Sequence, residues 1–270
     1  MNETGGDRWL RLQAGYDTGR DLPSVGIIGL ATDRVGIPDF EDFLSMRRDR
    51  LELFSTRIPM SPSATPETLA ALGEHLAEGA GLLVPGSRLD AVAFSCTSGT
   101  VAVGIDAVKR SIQSARPGIK ISTPMEAGAA GLRELGCRRI ALLTPYRVAT
   151  AELVAGYLEA AGLVLAKCAT FDLDGDPQMN RVSAESIARS AMDLAAKTGD
   201  FDGMFISCTG LRTFPVVARI ESILGKPVVT SNQALAWDCL RQVGLREPIE
   251  GQGRLFTEGL SVMPAAAASR

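Results

Sequence analysis

The chain has 270 residues, of which 46% are hydrophobic, 22% charged and 5% aromatic; that is enough for one large domain or two lobes of roughly 100–150 residues each. Lys plus Arg is 28 and Asp plus Glu is 31, a net charge of −3, which excludes the basic footprint of a nucleic-acid binder. No apolar run reaches the roughly 18 residues of a membrane span, and the opening MNETGGDRWLRLQ lacks the apolar core of a secretory signal.

Residues 1–20 and 246–270 read as polar or small-residue tails, ordered only if something docks on them. Between them, strand-like runs fall at 25–31, 51–58, 90–95 and 119–123, then at 139–144, 162–171, 202–207 and 227–231. Helical spacing appears at 66–80, 125–136, 147–161, 184–197, 211–224 and 233–244. Thr65-Pro66-Glu67 reads as an N-cap with proline at the first helical position, and Gly136, Gly225 and Gly244 stand where helices end. Near-continuous apolar strands alternating with helices predict an α/β fold with parallel sheets covered on both faces.

The order contains a repeat. DAVAFSCTSGT (90–100) and DGMFISCTGLRT (202–213) each place Cys-Thr at the same distance from an opening Asp. Each leads into a strand and a helix that ends in Leu-Arg, at 122–136 and 230–244. Cys96 and Cys208 therefore hold equivalent places in two similar halves of about four strands each. A pseudo-twofold axis would point both strand ends at one cleft. Lobe 1 is read as 21–122 plus 232–245, and lobe 2 as 123–231.

His75 is the only histidine, so a Ser-His-Asp triad or a two-histidine metal site has little to build on; in its Ala- and Glu-rich helix it reads as a surface residue. The five cysteines lie at least 31 residues apart with no CxxC pair, and they read as reduced thiols of a cytoplasmic protein. Cys137 follows a helix-ending glycine, Cys168 sits in a strand and Cys239 on a helix, so these three read as structural. Cys96 and Cys208 lie where parallel sheets bind ligands, beyond the carboxyl ends of strands. A helix start after each would supply free N–H groups and positive potential, lowering the thiol pKa toward neutrality and holding a carboxylate. Thr97, Ser98, Thr209 and Gly210 would form those cradles. Two opposed thiols suit removal of a proton from one face of a carbon beside a carboxylate and its return on the other. They equally suit addition of a thiolate to a double bond.

Weaker candidates flank this pair. Thr32 and Asp33, after the first strand, either project into the cleft or form a plain Asx turn. Tyr146 either donates to a substrate carboxylate or lies on the rim. Asp172-Leu-Asp-Gly-Asp lacks the glutamate of a calcium loop, Ser183 standing in its place. No Gly-rich nucleotide motif is present, which argues against a nucleotide cofactor, and no metal is expected.

The paired Ser-Cys-Thr strands, TPYRVAT (144–150) and PVVTSNQALAW (227–237) resemble the aspartate/glutamate racemase superfamily. Within it they are similar to the branch of maleate isomerases, arylmalonate decarboxylases and the ectoine-utilisation protein A group. GLATDRVGIPDF (29–40), FSCTSGT, LLTPY and TSNQALAW resemble the last group most, over about residues 24–244. The resemblance implies two α/β lobes around a cleft, a small carboxylate substrate, catalysis without cofactors and a homo-oligomer that engages neither nucleic acid nor membrane. It assigns Cys96 and Cys208 as the catalytic thiols and Thr97, Ser98, Tyr146, Thr209 and Gly210 as carboxylate holders. Arylmalonate decarboxylases carry glycine where Cys96 stands, so two thiols point to racemisation or isomerisation over decarboxylation. Maleate isomerases carry Pro-Ser-Ser-Asn where this chain has Leu30-Ala31-Thr32-Asp33, and an acidic Asp33 suggests a zwitterionic, ectoine-like substrate. A carboxylate-binding protein without catalysis is the reading from outside enzymology.

Overall fold

The computed structural model describes residues 12–15, 22–47 and 49–260, so most of the expected N-terminal tail lies outside the described residues. Two four-stranded parallel sheets carry the fold. The first holds β1 (Ser24–Leu30), β2 (Glu52–Ile58), β3 (Ala91–Phe94) and β4 (Lys120–Ser122) in the order β2-β1-β3-β4. The second holds β5 (Arg139–Tyr146), β6 (Val164–Leu173), β7 (Gly203–Ile206) and β8 (Val228–Thr230) in the order β6-β5-β7-β8. The two orders are identical when each half is counted from its own start. The central strands β1, β3 and β7 are buried along their whole length, as a parallel sheet covered on both faces requires, whereas the edge strands β2 and β6 are largely half-buried or exposed.

Helices fill the crossovers. In the first half they are α1 (Gly36–Ser45), α2 (Pro66–Ala70), α3 (Leu76–Leu82), α4 (Thr97–Val103) and α5 (Ile105–Ala115). The second half has α6 (Pro124–Glu134), α7 (Val148–Ala160), α8 (Asp176–Met179), α9 (Ala184–Ala196), α10 (Val217–Leu224) and α11 (Ser231–Gln242), and α12 (Arg254–Thr257) closes the chain. Thr65 caps α2 in a capping box with Thr68, with Pro66 at the first position. The helix expected over 66–80 is broken by a 3₁₀ turn at Ala71–His75. The one expected over 211–224 begins only at Val217, because Pro215 cannot donate and disfavours helical backbone at Phe214.

The segment read as a C-terminal tail is docked through residue 260. Leu255, Phe256 and Leu260 are fully buried, and Phe256 stands 4.7 Å from Phe43, which itself stacks on Phe214 at 4.7 Å. The Arg254 N–H donates to Glu221 at 2.8 Å, and the other Glu221 oxygen accepts from the Val228 N–H at 2.8 Å. No helix among the described residues is long and apolar enough to cross a membrane. Phe256→Ala should lower stability by about 3–5 kcal/mol, the range for a buried aromatic truncation, read as a fall in the denaturation midpoint. An unchanged midpoint would show that the segment is not part of the core.

Candidate active site

Cys96 and Cys208 each lie two residues past the end of an equivalent central strand, β3 and β7, which pair in matching register with β1 and β5. Cys96 is the N-cap of α4, and its sulfur accepts the Gly99 N–H at 3.2 Å. A side-chain carbon on Gly99 would stand 2.7 Å from that sulfur, so only glycine leaves room there. Cys208 differs. No helix follows it directly; it takes φ +98°, a region that L side chains adopt only under strain. Its sulfur accepts the Gly210 N–H at 3.2 Å. Only the Cys96 turn therefore has the helix start that the repeat led one to expect at both thiols.

The two turns are bonded to each other. The Ser231 hydroxyl, at the start of α11, accepts from the Thr97 hydroxyl at 2.9 Å and from the Cys208 N–H at 3.0 Å. The Thr209 hydroxyl donates to the Ser95 carbonyl at 3.0 Å. Both threonine hydroxyl protons are thus engaged in joining the turns. The donors that remain in this turn are the Thr97 and Ser98 N–H groups at the start of α4, which have no acceptor within the helix.

Both thiols line one small cavity of about 20 Å³, the room of a single water. Asp33, Ser95, Thr97, Ser98, Tyr146, Asp176, Thr209 and Gly210 share its wall with the apolar Leu30, Met60, Ala64, Leu69 and Met179. Tyr146 is buried, not on the rim, and its hydroxyl meets Ser207 at 3.2 Å and the Cys208 sulfur. The expected fall in thiol pKa is overturned. Burial pushes Cys96 up to about 12, Asp176 adds to the rise, and the Gly99 and Ser98 hydrogen bonds only partly oppose it. Cys208 is raised by the same burial and by Asp176, against Tyr146 and Gly210, and ionised Cys96 raises it further. Each thiol therefore feels the charge of the other.

Thr32 does not line the cavity; its hydroxyl donates to Asp176. Asp33 does line it, but its oxygens accept the Val35, Gly36 and Ile37 N–H groups at 2.9, 2.7 and 2.7 Å. This is the Asx turn of the two alternatives, and it starts α1, a helix the sequence reading left out. A carboxylate holding three donors is poorly placed to choose a cationic substrate. Asp176 was overlooked in the string discounted as a calcium loop. Asp172 and Asp174 of that string pair with Arg147 at the surface, while Asp176 turns inward. Its signal was Gly-Asp-Pro after a strand: Gly175 crosses the other lobe so closely that a side-chain carbon there would stand 1.9 Å from the Pro62 carbonyl oxygen.

Of the remaining cysteines, Cys137 and Cys239 are buried and Cys168 is exposed on the edge strand β6, so Cys168 is not a core-packing residue. His75 ends the 3₁₀ turn away from the cavity. Among the described residues, no group of three or more His, Cys, Asp or Glu side chains is arranged to hold a metal.

Residues 89–256 match the arylmalonate decarboxylase family. The arylmalonate decarboxylase of Bordetella bronchiseptica is 35% identical over 142 residues, 52% of this chain and 59% of that protein. The maleate isomerase of Nocardia farcinica is 29% identical over 217 residues, 77% of this chain and 84% of its own. A solved Nocardia farcinica maleate cis-trans isomerase variant with a covalently bound succinylcysteine intermediate shares the fold. Its TM-score is 0.77 at 22% identity, over 87% of this chain and 98% of that one.

Two outcomes test the site. Cys208→Gly should be more stable than Cys208→Ala by about 1 kcal/mol, because glycine adopts positive φ without strain; equal unfolding midpoints would remove the strain. At pH 8, iodoacetamide should label exposed Cys168 at least about ten-fold faster than Cys96 or Cys208, since only the thiolate reacts. Peptide mass spectrometry reads the rates, and equal labelling would contradict the raised pKa values.

Proposed function

The chain belongs to the arylmalonate decarboxylase family, and from that premise we propose that it is a cofactor-independent isomerase, a racemase or epimerase of a small carboxylate. One thiolate takes the proton from the carbon beside the carboxylate and becomes a thiol. The carbanion is held as an enediolate, and the opposite thiol delivers its own proton to the other face and becomes the thiolate. The next turnover runs in reverse. What supports the reading is one observation: two buried thiols from equivalent strand ends line the same small cavity and sense each other's charge. The N–H groups at the start of α4 oppose the charge that develops on the carboxylate, the usual means of stabilising such an intermediate. Tyr146 faces Cys208 and supports its thiolate as a hydrogen-bond donor.

A raised thiol pKa does not conflict with this. The delivering sulfur must begin protonated, and the other ionises only when the bound substrate changes the charge around it. A zwitterionic, ectoine-like carboxylate is the substrate this reading takes first, and its support lies in the cavity's charge, not in Asp33.

Thiol addition to a double bond is the second reading, favoured by the succinylcysteine held in the Nocardia farcinica structure. There a thiolate adds to one alkene carbon, the central bond rotates, and the sulfur leaves. Substrate trapping separates the two, because addition leaves a mass increment on one cysteine and proton transfer leaves none. For the first reading, Cys96→Ala and Cys208→Ala should each cut turnover at least about a thousand-fold, in the range lost with an essential acid–base group, while the circular dichroism stays unchanged. Full activity in either variant would end the two-thiol assignment. Release of carbon dioxide from an arylmalonate by the wild type, without racemisation of any carboxylate, would move the protein to the decarboxylases.

A further inference from the structure

The cavity holds more negative charge than the chain itself balances. Its described lining includes Asp33 and Asp176 and the two thiols, and no lysine, arginine or histidine. Arg57, on β2, donates to the backbone carbonyls of Leu30 and Asp33 at 2.8 and 2.6 Å and is not part of the wall. Asp33 is neutralised in effect by the three N–H groups at the start of α1. Asp176 is not. It is nine-tenths buried; Oδ2 accepts the Thr32 hydroxyl, and Oδ1 accepts no hydrogen bond among the described residues.

The free oxygen is aimed at the reacting groups. A carbon placed on Gly210 would stand 3.3 Å from the Cys208 sulfur, 3.8 Å from Asp176 Oδ1 and 3.1 Å from Asn180 Oδ1. Asn180 Oδ1 is itself buried without a donor, and the orientation of that amide is fixed because its Nδ2 donates to the Thr32 carbonyl at 3.1 Å. Asn180 Oδ1, buried without a donor, and Asp176 Oδ1 thus converge beside the Cys208 turn, and a buried acceptor left unpaired is costly. A working state adds a thiolate and a substrate carboxylate to the same space. No cationic side chain lines the wall, so positive charge beside Asp176 is left to the substrate.

We infer that Asp176 selects substrates that carry a cationic, N–H-bearing group, an ammonium or amidinium, on the side of the molecule away from the carboxylate that the α4 turn holds. The inference rests on the proposed two-thiol function and adds the substrate class to it. Asp176 grips the cation, Asn180 accepts a further N–H, and the cation offsets the thiolate that forms next to it. A second carboxylate in that place would face Asp176 directly, so maleate is a poor fit.

Calorimetric binding to the full chain tests this with ectoine, 2,4-diaminobutyrate and maleate as probes. At least one of the two cationic carboxylates should bind about ten-fold or more tightly than maleate. Asp176→Asn should weaken that binding about ten-fold and improve maleate binding, removing like-charge repulsion. The same variant should label faster at Cys208 with iodoacetamide at a given pH, which a merely structural role would not produce. Equal or tighter binding of maleate by the wild type, or binding of neither class, overturns the inference without needing the variant to fold. An Asp176→Asn protein that melts normally and keeps the wild-type preference also overturns it. Failure of the function itself is separate: it is read from the cysteine variants, whose loss of turnover stands whichever way the Asp176 result falls.

Discussion

Burying two thiols and a carboxylate around one cavity of about 20 Å³ whose described lining has no cationic side chain is the constraint from which the rest of the site follows. It raises the Cys96 and Cys208 pKa values, in opposition to the positive end of a helix. It also raises Asp176, through burial first and Asp33 second, against the Thr32 hydrogen bond. Ionising any one of the three makes the others harder to ionise. Such a site rests in its protonated thiol form, and in the proposed reaction a bound group changes that balance.

The fold supplies that constraint through duplication. Two sheets with the same strand order bring two equivalent strand ends together, and the Ser231 hydroxyl and the Thr209–Ser95 contact hold them there. Further bonds cross above the cavity: the Ala64 N–H donates to the Asp174 carbonyl at 2.8 Å, and the Thr150 hydroxyl to the Ala64 carbonyl at 3.0 Å. The cavity has room for one water, and on this side its wall is built by Met60 and Ala64 of the loop after β2 and by Asp176 and Met179 of α8.

The eight strands were legible in the sequence because fully buried parallel strands read as apolar runs bounded by turns. The paired thiols were legible because the repeat sets two of five cysteines apart. Less visible were elements whose start depends on one polar side chain: α1 begins where Asp33 gathers three N–H groups, and α4 where the Cys96 sulfur takes one. Nothing in Ser-Cys-Thr distinguishes Cys96, followed by a helix, from Cys208, held at φ +98°; Pro215 delays the next helix from a distance. Asp176 escaped because its acidic string reads only as a calcium loop that lacks its glutamate, and only the close crossing at Gly175 turns the last of the three inward. Charge within the cavity was misjudged for the same reason: burial is a tertiary property, and it outweighs the local helix start.

In the proposed reaction two sulfurs act on opposite faces of one carbon. The measurement that addresses it most directly follows the fate of hydrogen during the first few per cent of turnover of one enantiomer in D₂O. A two-thiol exchanger predicts that the product enantiomer carries one deuterium while the recovered substrate keeps its original hydrogen, since each face has its own proton carrier. Deuterium appearing equally in both enantiomers from the outset would mean that one group serves both faces, and would contradict the account.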